Sequence, residues 1–249
     1  KFGVAIEGGD AINLISKAIK LPGIKIVGIH CHIGSQIFEE AAFIKAAEVM
    51  MGFMLQCRKD FGLTMTELNL GGGYGIRYTD KDTPVKFDAY IKAIAGKIKS
   101  ICAGENFPIP FICMEPGRSI VANAGITLYT VGTVKEIKGH RTYVTVDGGM
   151  GDSPRYALYK AKMDAVIANR PAAGDAKPVT IAGKYCESGD LIQEHIPMPD
   201  IKPGEILAVM STGAYNYSMA SNYNRNPRPA MVLCKDSKAR LIIDREKLE

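Results

Sequence analysis

No run of about 18 or more apolar residues occurs in the 249-residue sequence, so no segment reads as a membrane-spanning helix. No two of the six cysteines, Cys31, Cys57, Cys102, Cys113, Cys186 and Cys234, form a C-x-x-C pair, and a zinc or redox motif is therefore unsupported. Several of them sit inside apolar runs, as buried free thiols do, which suits a reducing cytoplasm. Clustered basic charge is missing too. The net charge is +5, but the lysines are scattered singly, which describes a solvated surface and not a nucleic-acid-binding patch. Neither a signal peptide nor a methionine opens the chain. It begins inside an apolar phrase, Lys1-Phe2-Gly3-Val4, and the expectation is a fragment of a longer protein.

What is present is the composition of a soluble globular protein, 47% hydrophobic and 23% charged, long enough for one large domain or two ordinary ones. The first part alternates helix and strand. Asp10 is a plausible N-cap for a helix over Ala11–Lys20, with Ile12, Ile15 and Ile19 at helical spacing. Apolar runs at Ile24–Ile29, Met65–Leu70 and Phe111–Met114 read as buried strands. Helices over Glu39–Phe61 and Phe87–Cys102 lie between them, the first with a Phe43, Met50 and Met54 stripe that reads as core filler. That alternation implies a parallel sheet with helices packed outside. Near Gly125 the texture changes. Thr127–Ile137, Arg141–Val146, Val179–Ala182, Ile206–Met210, Met231–Cys234 and Leu241–Ile243 are rich in β-formers and separated by Gly, Pro, Asp and Asn. A mostly antiparallel β domain over 125–249 is expected after an α/β domain over 1–124.

Polar chemistry collects just past the apolar runs. Asn69-Leu70-Gly71-Gly72-Gly73-Tyr74-Gly75 ends a strand in three glycines, the composition of a tight turn or of a backbone cradle for a phosphate. His30 and His32 share a face if their strand continues. No carboxylate or third ligand is near them in sequence, so a metal pair is unsupported. A structural role and packing against a flat ligand both stay open, with Ser35 beside them. Glu115-Pro-Gly-Arg118 is either a local ion pair or a carboxylate and a guanidinium facing a ligand. Cys186-Glu187-Ser188-Gly189-Asp190 is a turn with an incidental or a working thiol. The Tyr-, Asn- and Arg-rich segments at 213–217 and 222–229 can line a polar pocket.

Taken together, His-Ile-Gly-Ser-Gln at 32–36, Gly-Gly-Gly-Tyr-Gly at 71–75, Glu-Pro-Gly-Arg at 115–118, Asp-Gly-Gly-Met at 147–150, Cys-Glu-Ser-Gly-Asp at 186–190 and Asn-Tyr-Asn-Arg-Asn-Pro-Arg-Pro at 222–229 resemble the diaminopimelate decarboxylases. Ornithine and arginine decarboxylases share the glycines and Glu-Pro-Gly-Arg but differ around the cysteine. The resemblance implies the C-terminal part of a (β/α)8 TIM-like barrel, about its last three strands, followed by a β domain. It implies the cofactor pyridoxal 5'-phosphate and the conversion of meso-2,6-diaminopimelate to L-lysine and CO2. On that basis His32 would stack on the pyridine ring, and Ser35, Gly71, Gly72 and Gly73 would hold the phosphate. Glu115 would bond the ring nitrogen, with Gly117, Arg118 and Tyr215 also at the cofactor. Arg118, Arg155, Tyr159, Glu187 and Tyr215 would bind substrate, and Cys186 would return the proton to the α-carbon. A homodimer with shared sites is implied. The family's Schiff-base lysine lies in a phrase not found here, so this chain alone is expected to be inactive. A related ornithine- or arginine-type decarboxylase, or a non-catalytic binder of the cofactor, is the alternative reading.

Overall fold

Helical apolar periodicity and short β-rich runs build the first of two units, Lys1–Ile76 with Thr83–Ser119, in the computed structural model, which describes residues 1–248. Helix α1 covers Asp10–Ala18. Its N-cap is Gly9, left-handed at φ +87°, and not the expected Asp10. Asp10 stands in the first turn, where a carboxylate is favoured by the positive end of the helix dipole. Strands β1 (Gly28–His30), β2 (Glu67–Asn69) and β3 (Phe111–Cys113) pair in parallel in the order β1-β2-β3. Parallel neighbours need a crossover between them. Helix α2 (Glu40–Phe61) supplies the first and α3 (Phe87–Gly104) the second. The paired strands are shorter than the apolar runs that announced them, because β1 pairs only where β2 lies alongside it: Gly28 is opposite Glu67.

The core of this unit is where the helical stripes meet β2. α2 buries Phe43, Ala47, Met50, Met51, Met54 and Cys57, and α3 buries Tyr90, Ile94, Ile98 and Cys102 at three- and four-residue spacing. Phe43 stacks on Tyr74 with centroids 4.6 Å apart, and Tyr90 meets Phe43 edge-on at 5.2 Å. The Tyr90 hydroxyl donates to the Ile37 carbonyl at 3.0 Å, which satisfies its polar tip. Each such side chain, fully buried, contributes about 1.5–3 kcal/mol.

The second unit comprises Arg77–Asp82 and the described chain from Ile120 onward. A short helix α4 (Gly117–Val121) follows β3. Strands β4 (Thr127–Ile137) and β5 (Arg141–Val146) form a hairpin. Helix α5 (Arg155–Tyr159) comes next, then β6 (Ala165–Ile167), β7 (Lys177–Ala182), β8 (Leu191–Met198) and β9 (Ile206–Val209). The six strands order as β6-β9-β4-β5-β7-β8, antiparallel except for the parallel pair β5 and β7. β6, β8 and α5 are not legible in the sequence. β8 carries Pro197 and a left-handed His195 (φ +52°), which break the alternation, and it lies at the sheet edge where proline is tolerated. β10 (Met231–Lys235) and β11 (Lys238–Ile243) make a separate hairpin. Its two-residue turn, Asp236-Ser237, has both residues left-handed at φ +51° and +57°, the geometry that matches strand twist.

Candidate functional site

Parallel pairing puts His30, Asn69 and Cys113 side by side in register. The segments that follow them, from Cys31, Leu70 and Met114, therefore leave from the same edge of the sheet, the end at which parallel α/β folds carry their ligands. Asn69 is the organiser there. Its Nδ2 donates to Glu115 Oε1 at 2.8 Å, and its Oδ1 accepts from the Gly71 N–H at 2.8 Å. His30 Nε2 lies 3.6 Å from the same Glu115 oxygen. His32 turns elsewhere: its Nδ1 accepts from the Gly72 N–H at 3.2 Å. That bond orients the ring and, in the neutral imidazole, leaves the proton on Nε2. The two histidines thus have different partners.

The glycines are required by close approach. Gly71 and Gly73 are left-handed at φ +67° and +97°. A Cβ on Gly71 would stand 2.5 Å from the Cys31 carbonyl oxygen, and on Gly72 and Gly73 it would run into the carbonyl oxygens of Glu115 and Gly34. The turn is wedged between the segments after β1 and β3. Its first two N–H groups are engaged internally, by Asn69 and His32, and only that of Gly73 has no acceptor among the described residues. Beside it, the Ser35 hydroxyl oxygen accepts from Arg118 Nη2 at 2.8 Å. An open backbone N–H, a hydroxyl, a guanidinium and an oriented imidazole as donors, with an oriented carboxylate as acceptor, fit a flat heterocycle bearing a phosphate. Asn69→Ala removes two bonds at once and is expected to lower the unfolding free energy by about 1–3 kcal/mol. Asn69→Asp, which sets a second carboxylate against Glu115, should lower it further. Urea melts of the two variants check this.

The second unit carries the remaining residues. Arg155, at the start of α5, is 7% exposed. Its guanidinium carbon lies 4.7 Å from the Tyr78 ring centroid and 6.0 Å from that of Tyr215. Its Nη1 has no hydrogen-bond partner among the described residues. Tyr215 is held left-handed at φ +66°, a conformation that costs a bulky residue about 1–3 kcal/mol. Tyr159 lies one turn after Arg155 and is exposed. The Tyr156 hydroxyl, pushed up to about 12 by burial, donates to Glu194 Oε2 at 2.5 Å and ties α5 to β8.

The Cys186 turn is held from two sides. From inside, Asp190, 3% exposed, accepts from the Tyr185 N–H at 2.8 Å and the Met150 N–H at 2.6 Å. It joins the turn to the Asp147-Gly-Gly-Met loop, and burial raises its carboxyl. From outside come the residues after Asn222. The Tyr223 ring stacks on Tyr185 at 5.8 Å, and its hydroxyl donates to Glu187 Oε1. That hydroxyl is raised to about 12, first by the Glu187 carboxylate, and stays a donor at neutral pH. Asn224 Nδ2 donates to Cys186 Sγ at 3.4 Å. Glu246 pins this outer segment, accepting from the Arg228 N–H at 2.9 Å, from Arg228 Nε at 2.6 Å and from Asn222 Nδ2. Its carboxyl is lowered to about 2, chiefly by Arg228. A depressed carboxyl contributes above its ordinary value of 4.5 and loses that contribution as the pH falls through about 2. A carboxyl titration of Glu246 by NMR should show its midpoint near 2, with the resonances of Asn222 and Arg228 moving in step.

Each unit therefore gathers its own set. Asn69, Asp190, Tyr223 and Asn224 have no role that the motifs alone announce, although all four lie inside them.

A family model described as "Pyridoxal-dependent decarboxylase, pyridoxal binding domain" matches residues 1–122, and one described as the "C-terminal sheet domain" of the same decarboxylases matches residues 78–213. Among curated proteins, the diaminopimelate decarboxylase of Bacillus subtilis is 47% identical over 249 residues, covering 100% of this chain and 57% of that protein. The chain spans little more than half the length of such relatives. Among solved structures, diaminopimelate decarboxylase from M. jannaschii in co-complex with L-lysine is similar at a TM-score of 0.92 and 34% identity, over 99% of this chain and 56% of the other. The lysine/ornithine decarboxylase from Vibrio vulnificus complexed with putrescine is similar at 0.77 and 26% identity, over 92% and 59%.

Proposed function

The chain belongs to the pyridoxal-dependent decarboxylases, and from that premise we propose that the protein carrying it is a carbon–carbon lyase that converts meso-2,6-diaminopimelate to L-lysine and CO2. The observation that carries the choice of substrate is Arg155. A guanidinium on a residue only 7% exposed, with a buried Nη1 that has no hydrogen-bond partner among the described residues, is costly unless an anion completes it. Diaminopimelate brings such an anion, since it ends in a complete amino-acid group on the side away from the reaction. Ornithine and arginine do not. The 47% identity to a diaminopimelate decarboxylase supports the same choice.

Pyridoxal 5'-phosphate, when bound, supplies an electron sink for the carbon that loses CO2. Toward it, Glu115, fixed by Asn69 and flanked by His30, is placed to accept a hydrogen bond from a protonated ring nitrogen. His32, oriented by Gly72, offers a flat face. The Gly73 N–H, the Ser35 hydroxyl and Arg118 take the phosphate, with Gly117 in the same turn. Gly71 and Gly72 contribute shape more than donors, because their own N–H groups are engaged. Toward the substrate, Arg155 and Tyr159 take the distal carboxylate, with Arg118 as a second cation. Glu187, braced by Tyr223, takes the distal ammonium, and Tyr215 touches both cofactor and substrate. Cys186 delivers its Sγ–H proton to the α-carbon after CO2 departs, and solvent restores it.

The three parallel strands are read as part of a (β/α)8 barrel, and the assembly as a homodimer. A cytoplasmic setting accords with six unpaired cysteines, and among the described residues no helix is long and apolar enough to cross a membrane. The test is a competition assay on the protein carrying this sequence, with pyridoxal phosphate present. Release of CO2 from diaminopimelate should exceed that from ornithine, arginine or lysine by at least a hundredfold in kcat/KM. A preference for ornithine or arginine would move the assignment to the sister decarboxylases. No release from any of the four would favour a non-catalytic binder.

A further inference from the structure

The segment after Asn222 meets the sulfur of Cys186, the proposed proton donor. Asn224 and Arg225 are both left-handed, at φ +52° and +56°. Asparagine is the non-glycine residue best suited to that region, because its short side chain can bond locally. The segment is closed on itself. The Arg225 N–H donates to the Asn222 carbonyl at 2.7 Å and the Asn226 N–H to the Tyr223 carbonyl at 3.2 Å. Asn222 Nδ2 and Asn226 Nδ2 add bonds to the Asn226 and Tyr223 carbonyls at 3.2 and 3.3 Å. Glu246 then fastens it through Asn222 and Arg228. None of these bonds uses the Asn224 side chain. Its amide is left to reach the thiol, with Nδ2 3.4 Å from Cys186 Sγ. The neighbouring contacts, ring on ring for Tyr223 and Tyr185 and hydroxyl on carboxylate for Tyr223 and Glu187, hold the two segments together beside that bond.

We propose that Asn224 is a positioning residue for the proton transfer, its side-chain amide donating to Cys186 sulfur and strengthening that bond as the sulfur loses its proton. A thiol sulfur is a weak acceptor. A thiolate is an ionised one, and hydrogen bonds to ionised partners are roughly twice as strong as neutral ones. The S–H bond breaks, its proton passes to the α-carbon, and the electron pair stays on sulfur facing the Asn224 N–H. An interaction that grows along the transfer lowers the barrier, and one that is merely present does not. The amide also selects a direction for the sulfur, because an N–H donor on one side leaves the S–H to point away from it.

The inference rests on the proposed role of Cys186, and the experiment separates the two. Iodoacetamide alkylation, followed by peptide mass mapping, is compared for Asn224→Gly and Asn224→Asp in the protein carrying this sequence, with the exposed Cys234 as internal reference. Glycine keeps the left-handed backbone and deletes the donor. Aspartate keeps shape and backbone tolerance but puts a negative charge against the sulfur. Alkylation reads thiolate nucleophilicity and needs neither substrate nor turnover. At neutral pH the Cys186 rate, relative to Cys234, should fall several-fold in the glycine variant and further in the aspartate variant. With diaminopimelate, kcat should fall about tenfold in the glycine variant with KM little changed. A Cys186 rate in Asn224→Gly equal to or above that of the parent overturns the proposal. Unchanged turnover in Cys186→Ala, with the alkylation effect intact, would instead overturn the role of the cysteine and leave the contact standing.

Discussion

Replacing Arg155 by methionine is expected to raise the KM for diaminopimelate roughly a hundredfold while the protein melts no lower than the parent. The two halves of that result have one cause. Arg155 is buried against Tyr78 and Tyr215, and its Nη1 has no partner among the described residues, so in the absence of an anion it is a liability to the fold. Exchanging a poorly compensated buried charge for an apolar side chain of similar volume is commonly neutral or stabilising. With substrate bound the account reverses. Removing one partner of a desolvated, hydrogen-bonded charge pair costs about 2–5 kcal/mol, which corresponds to some 30-fold to several-thousand-fold in binding. Affinity for pyridoxal phosphate should be unaffected, since its expected contacts are on other residues. Steady-state kinetics, a thermal melt and a cofactor titration make the full measurement. A marked loss of melting temperature with little change in KM would show that Arg155 serves packing, and the case for a dicarboxylate substrate would fall with it.

The second large effect is expected at the triple glycine. Gly73→Ala meets two penalties. Its backbone is left-handed at φ +97°, and its new Cβ runs into the Gly34 carbonyl oxygen. The first is worth about 1–2 kcal/mol and the second about 1–3, so a loss near 2–5 kcal/mol is expected. Gly72→Ala isolates the steric part, because its Cβ strikes the Glu115 carbonyl with no left-handed φ to add. Gly139→Ala isolates the backbone part: it sits at φ +75° with nothing within 4 Å of its Cβ. Urea unfolding should rank the three as Gly73→Ala worst, with Gly72→Ala and Gly139→Ala each milder. Because Gly73 carries the open N–H, its alanine variant should also bind pyridoxal phosphate more weakly than Gly139→Ala does. A Gly73→Ala protein as stable as Gly139→Ala would mean that the turn can relax away from the segment after β1, and that the cradle is not rigid.

Where periodicity was long, the amino-acid order was enough to set the class of each element. α2 and α3 follow from apolar spacing over 22 and 18 residues, since a stripe of that length has one way to be buried. It also determined the change from alternating helix and strand to a run of strands, and it located the chemistry by type: a glycine run, Glu-Pro-Gly-Arg and Cys-Glu-Ser-Gly-Asp. Short elements escaped it. β6 has three residues, α5 has five, and β8 carries a proline and a left-handed histidine, so none holds enough periods to outweigh its local irregularity. Which groups are left over for a ligand depends instead on how the folded segments meet. Composition makes Gly71, Gly72 and Gly73 equal donors. Folding engages the first two N–H groups with Asn69 and His32, and the third has no acceptor among the described residues. The sequence likewise offers several arginines, and folding buries Arg155 with one nitrogen that has no partner among the described residues. It also sets Asn69 on Glu115 and Asn224 on Cys186, over 46 and 38 residues of chain. The physical reason is the range of the interactions. Propensity and periodicity act over one or two turns of chain, whereas the satisfaction of a polar group depends on every neighbour that packing delivers.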